Sequence, residues 1–167
     1  MSGAAAPSRR RQVAVIGANA AAQSTEIATL AGEVGRRLAE AGAVVVCGGR
    51  EGVMEAAARG AAEAGGTVIG IVPGSALGEA NPFCTHVVAS GVGYGRNLAV
   101  VGSGEVVIAV GGAWGTLSEI GLARNLGRTV VALRSWTAEG EGEMRDAPGI
   151  LQATTPAEAV ELALKAL

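Results

Sequence analysis

EVVIAVGGAWGTLSEI, residues 105–120, is the stretch on which the fold turns. Val106 to Val110 are apolar at every position instead of every second one, the pattern of a strand buried on both faces. The run ends in Gly111 and Gly112, and helical spacing follows. A strand that passes through glycines into a helix start leaves backbone N–H groups available to an anion.

The same kind of run recurs at 12–17 (QVAVIG), 43–49 (AVVVCGG), 66–72 (GTVIGIV) and 128–133 (RTVVAL). Helical stripes lie between them. Ile27, Leu30, Ala31, Val34, Leu38 and Ala41 form one; Val53, Met54, Ala57, Ala61 and Ala64 form another. Thr155-Pro156-Ala157-Glu158 opens the last helix with a cap residue, a proline at the first helical position and a glutamate at the third. Strand and helix in alternation predict an α/β fold: a doubly wound, Rossmann-like, mostly parallel sheet with helices on both faces. Residues 12–167 read as a single domain, and 1–11 (MSGAAAPSRRR) as a disordered tail. Segment 73–88 reads as a loop with a short edge strand, and 134–149 as a polar surface loop.

With 13 Lys plus Arg against 15 Asp plus Glu, the net charge of −2 gives no basic excess, so nucleic acid is not an expected partner. Aromatic residues at 2% leave little for base stacking. No apolar stretch approaches the length of a membrane span, so no membrane partner is expected. Cys47 and Cys84 match no metal-ligand spacing and read as reduced thiols of a cytoplasmic protein; with His86 the only histidine, no metal site is expected.

Glycines gather where strands end: Gly17, then Gly48, Gly49 and Gly52, then Gly111, Gly112 and Gly115. Ligands of doubly wound sheets bind beyond those ends, and glycine admits close approach of a phosphate. The dinucleotide fingerprint is absent from the first turn, GANAAA, and the Walker sequence is absent from the chain. GGREGVMEAAARGA (48–61), YGRNLAVV (94–101) and GGAWGTLSEIGLA (111–123) resemble, in order, the signature blocks of the Lonely guy family. That family comprises cytokinin riboside 5′-monophosphate phosphoribohydrolases, formerly labelled lysine decarboxylases. The third block resembles its Pro-Gly-Gly-x-Gly-Thr-x-x-Glu motif, with Val110 in place of the proline; the second resembles the stretch with its catalytic arginine, with Asn97 where many members have lysine. The overall pattern is similar to the branch that includes molybdenum cofactor carrier proteins.

The resemblance implies Glu119 and Arg96 as catalytic residues of a nucleoside 5′-monophosphate phosphoribohydrolase, releasing free base and ribose 5-phosphate. It implies the glycines above, Asn97 and Thr116 as binders of the phosphorylated nucleotide-like ligand. No cofactor is required on that reading; on the carrier reading molybdenum cofactor is the ligand. A homodimer is implied as well, for which Gly95, Gly121 and Ala123 would allow close helix approach. Simpler roles compete. Thr116-Leu117-Ser118-Glu119 has the spacing of a capping box, as Thr155 to Glu158 has. Arg96 could be a surface charge or a phosphate clamp, and Arg50 with Glu51 a loop ion pair. Asn97 could cap its helix or bond a sugar. Tyr94 and Trp114 could stack on a ligand or pack, His86 reads as structural or exposed, and Met54 as core.

Overall fold

Val/Ile runs that are apolar throughout require cover on both faces, and the chain supplies it by placing a helix after most strands. The computed structural model describes residues 9–137 and 150–167. In chain order the elements are β1 (Gln12–Gly17), α1 (Thr25–Glu40), β2 (Val44–Cys47), α2 (Val53–Glu63), β3 (Val68–Val72), β4 (His86–Ala89), α3 (Arg96–Ser103), β5 (Val106–Val110), α4 (Trp114–Asn125), β6 (Thr129–Leu133), β7 (Leu151–Ala153) and α5 (Pro156–Lys165). The strands form one sheet in the order β4-β3-β2-β1-β5-β6-β7. All six neighbouring pairs are parallel.

The sheet is therefore the expected doubly wound one. The chain winds outward from β1 through β2, β3 and β4, then returns to the other side of β1 with β5, so the direction of winding switches between β1 and β5. One face carries α1, α2 and α5 against Val13, Val15, Val45, Cys47, Val106 and Ile108. The other carries α3 and α4 against Ala14, Ile16, Val46, Val107 and Ala109. Alternate residues of one strand thus serve opposite cores, and each buried valine stabilises the fold by ~1.5–3 kcal/mol.

Segment 73–88 contains the expected loop, and its edge strand β4 begins at His86. Strand β7 was not apparent from sequence: Leu151 and Gln152 are exposed, so its three residues carry no apolar run. Of the polar segment 134–149, residues 138–149 lie outside the described residues, as do residues 1–8 of the expected tail. Arg11, within that tail, is held by the carbonyl of Leu167.

Helices α1 and α2 touch backbone to backbone. A Cβ on Gly35 would lie 2.0 Å from the carbonyl oxygen of Ala57, and one on Gly60 would lie 1.9 Å from that of Gly32. These glycines are spaced for contact and need no unusual backbone angle. Gly60→Ala should cost about 1–3 kcal/mol by overpacking. Gly78→Ala, where no atom lies within 4 Å of the added carbon, should cost far less. Urea unfolding of both variants checks this; equal stabilities would overturn the assigned contact.

Candidate functional site

At the carboxyl ends of β1, β2 and β3 lies a cleft of about 470 Å³, within the size range of small-molecule sites. Asn19 to Ala21 form the side above β1, Arg50, Glu51 and Met54 the side above β2, and Pro73 the side above β3. Gly93, Tyr94 and Arg96, at the start of α3, close it. The walls are braced from below. Gly52, with φ +81°, precedes α2, and a Cβ there would lie 2.5 Å from the carbonyl oxygen of Ala18. The Val53 N–H donates to that same carbonyl at 3.0 Å.

Arg96 is the cationic centre of the cleft. Its guanidinium occupies the space that a side chain on Gly48 would fill, with Nη1 only 2.3 Å from the ideal Cβ position. Its Nη2 approaches the Met54 sulfur at 4.0 Å, and its buried Nε has no hydrogen-bond partner among the described residues. Arg96 forms no ion pair with a carboxylate among those residues. Burial pushes its pKa down, and the nearby Glu119 carboxylate opposes that shift. A buried guanidinium short of partners favours an anion that would complete its hydrogen bonds.

Glu119 is not a capping residue. Helix α4 starts at Trp114 with Ala113 as its cap position, which puts Thr116 third and Glu119 in the second turn. The extended backbone of Ala113 brings the helix in three residues earlier than the Thr-x-x-Glu spacing suggested. The same spacing at Thr155 does cap: its hydroxyl accepts from the Glu158 N–H at 3.2 Å, and Glu158 reaches back to Thr154. Glu119 is only 8% exposed and its carboxylate has no hydrogen bond among the described residues. Burial raises its pKa to about 7, against the opposing pull of the Arg96 charge. Thr116 Oγ1, one turn earlier, is buried and also lacks a partner.

The structure separates the remaining candidates. Gly17 packs against Val110 and Val53, Gly49 against Val72 and Gly70, Gly111 against Ile27, and Gly112 against Thr116; these glycines admit neighbouring protein atoms. Gly115, in the first turn of α4, faces open space. Gly111, Gly112, Gly115 and Thr116 surround the start of α4 above β5 and do not line the cleft, while Arg96 and Glu119 sense each other's charge. Asn97 is the second residue of α3, so it is not the cap. Arg50 pairs with Glu79 at 3.7 Å in place of its neighbour Glu51. Met54 is partly buried against the core and also reaches the cleft. His86 is exposed, with Nδ1 3.0 Å from the Thr85 hydroxyl. Tyr94 is almost fully exposed at the cleft rim, and Trp114 lies tilted against Trp136 with ring centres 5.4 Å apart.

Sequence reasoning missed Asn81. It is buried, donates to the Arg50 carbonyl at 2.9 Å and accepts from the Phe83 N–H at 3.1 Å, so it ties two loops at the edge of the cleft. Its position in an Asn-Pro dipeptide reads as a turn and hides that role.

Comparison with known proteins places these features in a family. Residues 10–160 match the SLOG cluster4 family, and the chain belongs to it. A protein of Archaeoglobus fulgidus is 40% identical over 123 residues, 74% of this chain and 80% of that one. The molybdenum cofactor binding protein of Rippkaea orientalis superimposes with a TM-score of 0.83 at 29% identity, covering 94% of this chain and 97% of that one. The molybdenum cofactor carrier protein of Chlamydomonas reinhardtii gives 0.83 at 31%, covering 95% and 98%. DNA processing protein A of Streptococcus pneumoniae shares the fold alone, at 22% identity and a TM-score of 0.69, covering 91% of this chain and 61% of that one.

The burial of Glu119 makes a prediction about stability. Its folded pKa of about 7 lies above the ordinary 4.5, so across that interval the native state keeps a proton that the unfolded chain has released. Stability should therefore fall as pH rises from 4.5 to about 7, by on the order of 3 kcal/mol. Glu119→Gln should remove that dependence, unfolding like the wild type near ~pH 4 and above it near ~pH 8. Thermal melts of both proteins across this range check it; parallel curves would refute the buried, uncompensated carboxylate.

Proposed function

We propose that this member of the SLOG cluster4 family binds a phosphorylated, nucleotide-like ligand in the cleft above β1, β2 and β3, with Arg96 holding the phosphate. The observation that carries this reading is the guanidinium of Arg96, lodged against Gly48 with no carboxylate partner among the described residues. Gly115 at the start of α4 faces open space outside the cleft, so a ligand that extends past Arg96 would reach the backbone there. The likeness to a molybdenum cofactor binding protein and a molybdenum cofactor carrier over nearly the whole chain supports a carrier, with a phosphorylated pterin of that kind as cargo.

A specific observation favours a second reading, hydrolysis of the N-glycosidic bond of a nucleoside 5′-monophosphate. Glu119 is a buried carboxyl with a pKa near 7, beside a cation, which suits a group that stabilises an oxocarbenium-like transition state or activates water. Incubation with nucleoside monophosphates, scored for free base and ribose 5-phosphate, separates the readings. Turnover abolished by Glu119→Gln supports hydrolysis. Binding without turnover, with molybdenum and pterin retained on the purified protein, supports the carrier. For either, Arg96→Ala should weaken binding of a nucleoside monophosphate by about ten- to a hundred-fold, the worth of a charged hydrogen bond. Its effect on the bare nucleoside should be small. Equal losses for both would mean that Arg96 does not hold the phosphate.

We place the chain in the cytoplasm, in keeping with two unbridged thiols. We also assign it a symmetric homodimer through α3 and α4. Tyr94, Leu98, Trp114 and Leu126 are exposed there, whereas α1 shows solvent Glu33, Arg36, Arg37 and Glu40. Gly95 and Gly121 are open on that surface, but Ala123 is buried in its own chain's core and takes no part. Light scattering should give a dimer mass for the wild type and a monomer mass for Trp114→Glu. A monomeric wild type at micromolar concentration would reject the interface.

A further inference from the structure

Cys47 ends β2 and is fully buried; Cys84 lies in the loop before β4 and is half-buried. Distant in sequence, they converge over Gly70. Cys47 is in register with Gly70 on β3, and a Cβ on Gly70 would lie 2.5 Å from the Cys84 sulfur. The absent side chain is what leaves room for Cys84, which packs against the core cluster that contains Cys47. The neighbouring Cys47 pulls the Cys84 thiol below its ordinary pKa, whereas Cys84 and burial push Cys47 up. Reactivity is thus divided between an accessible, more acidic sulfur and a protected one behind it.

Neither sulfur lines the cleft, but each is linked through its neighbours to a residue that does. Gly48, beside Cys47, makes room for Arg96. The Cys84 thiol donates to Asn81 Oδ1 at 3.6 Å, and Asn81 in turn holds the Arg50 carbonyl. The Asn81 N–H also donates to the Gly49 carbonyl at 2.8 Å. We propose that Cys47 and Cys84 are an oxidisable dithiol, closed to a disulfide by a low-molecular-weight disulfide, and that closure loosens the Asn81 bracket beneath the cleft.

The exchange balances in two steps. The Cys84 thiolate attacks one sulfur of the oxidant, forming a mixed disulfide and expelling one equivalent of small thiol. Cys47 then attacks the Cys84 sulfur, its proton passing to solvent, and expels the second equivalent. Two electrons reduce the oxidant, and two protein thiols become one disulfide. Oxidised Cys84 no longer has a proton to donate, so Asn81 loses that partner.

The test treats native, full-length protein with oxidised glutathione, counts free thiols by maleimide labelling, and follows hydrogen exchange at residues 81–84. The expected result is loss of both thiols within one chain, reversal by dithiothreitol, and several-fold faster exchange at Asn81 and Phe83 in the oxidised form. Cys47→Ser should trap a mixed disulfide on Cys84, and Cys84→Ala should take up no glutathione. Two thiols that stay free, a link between chains, an adduct on Cys47, or a disulfide without faster exchange would each overturn the proposal. None of these readings depends on ligand binding.

Discussion

Parallel pairing of every neighbouring strand governs the rest of the molecule. Parallel strands can be joined only by crossovers, the crossovers cover both faces, and all carboxyl ends emerge along one edge. Glycine-rich turns that are far apart in sequence, after β1, β2 and β5, are thereby brought side by side. The winding reverses between β1 and β5, and the cleft opens on the β2 side of that point, where the turns after β1, β2 and β3 meet the start of α3.

The fold was legible because its signal is dense. Five apolar runs, each bounded by glycine or polar residues, gave strands within two residues of their observed ends, and the helical stripes between them gave the crossovers. β7 escaped because pairing, not composition, makes it a strand: it borders β6 at the end of the sheet, and Leu151 and Gln152 are exposed. The glycines were legible as important and illegible as to purpose. A turn that must admit a phosphate and a turn that must admit a neighbouring carbonyl are both written as glycine. Gly17 and Gly52 serve the second need, and only the three-dimensional neighbours separate the two.

Glu119 shows the converse. Its spacing from Thr116 fits a cap, and the identical pattern at Thr155 is one. What differs is the approach of the chain. At Thr155 the preceding strand leads through serviceable cap residues; at α4 the turn Gly111-Gly112-Ala113 bends the chain so that the helix begins at Trp114. A shift of three residues moves Glu119 from the helix end to a buried position beside α3, where its charge is opposed by desolvation and favoured by Arg96. Arg96 was legible for a simpler reason: an arginine at a helix start gains nothing from the helix dipole, so another use had to explain it.

The charges of Arg96 and Glu119 are coupled without being paired, which links proton binding to anion binding. The positive charge of Arg96 is what restrains the rise in the Glu119 pKa. An anion seated on Arg96 would cancel part of that restraint and push Glu119 further toward its neutral form, so binding a phosphate would favour taking up a proton. For a carrier this is an advantage, because a neutral Glu119 does not repel the cargo's phosphate near neutral pH. A hydrolase faces the opposite demand. Its carboxylate must stay charged while the anion is bound, and the compensation has to come from the positive charge that develops on the sugar as the bond breaks. The same two residues therefore suit storage in the ground state and catalysis only if the ligand itself supplies the missing cation.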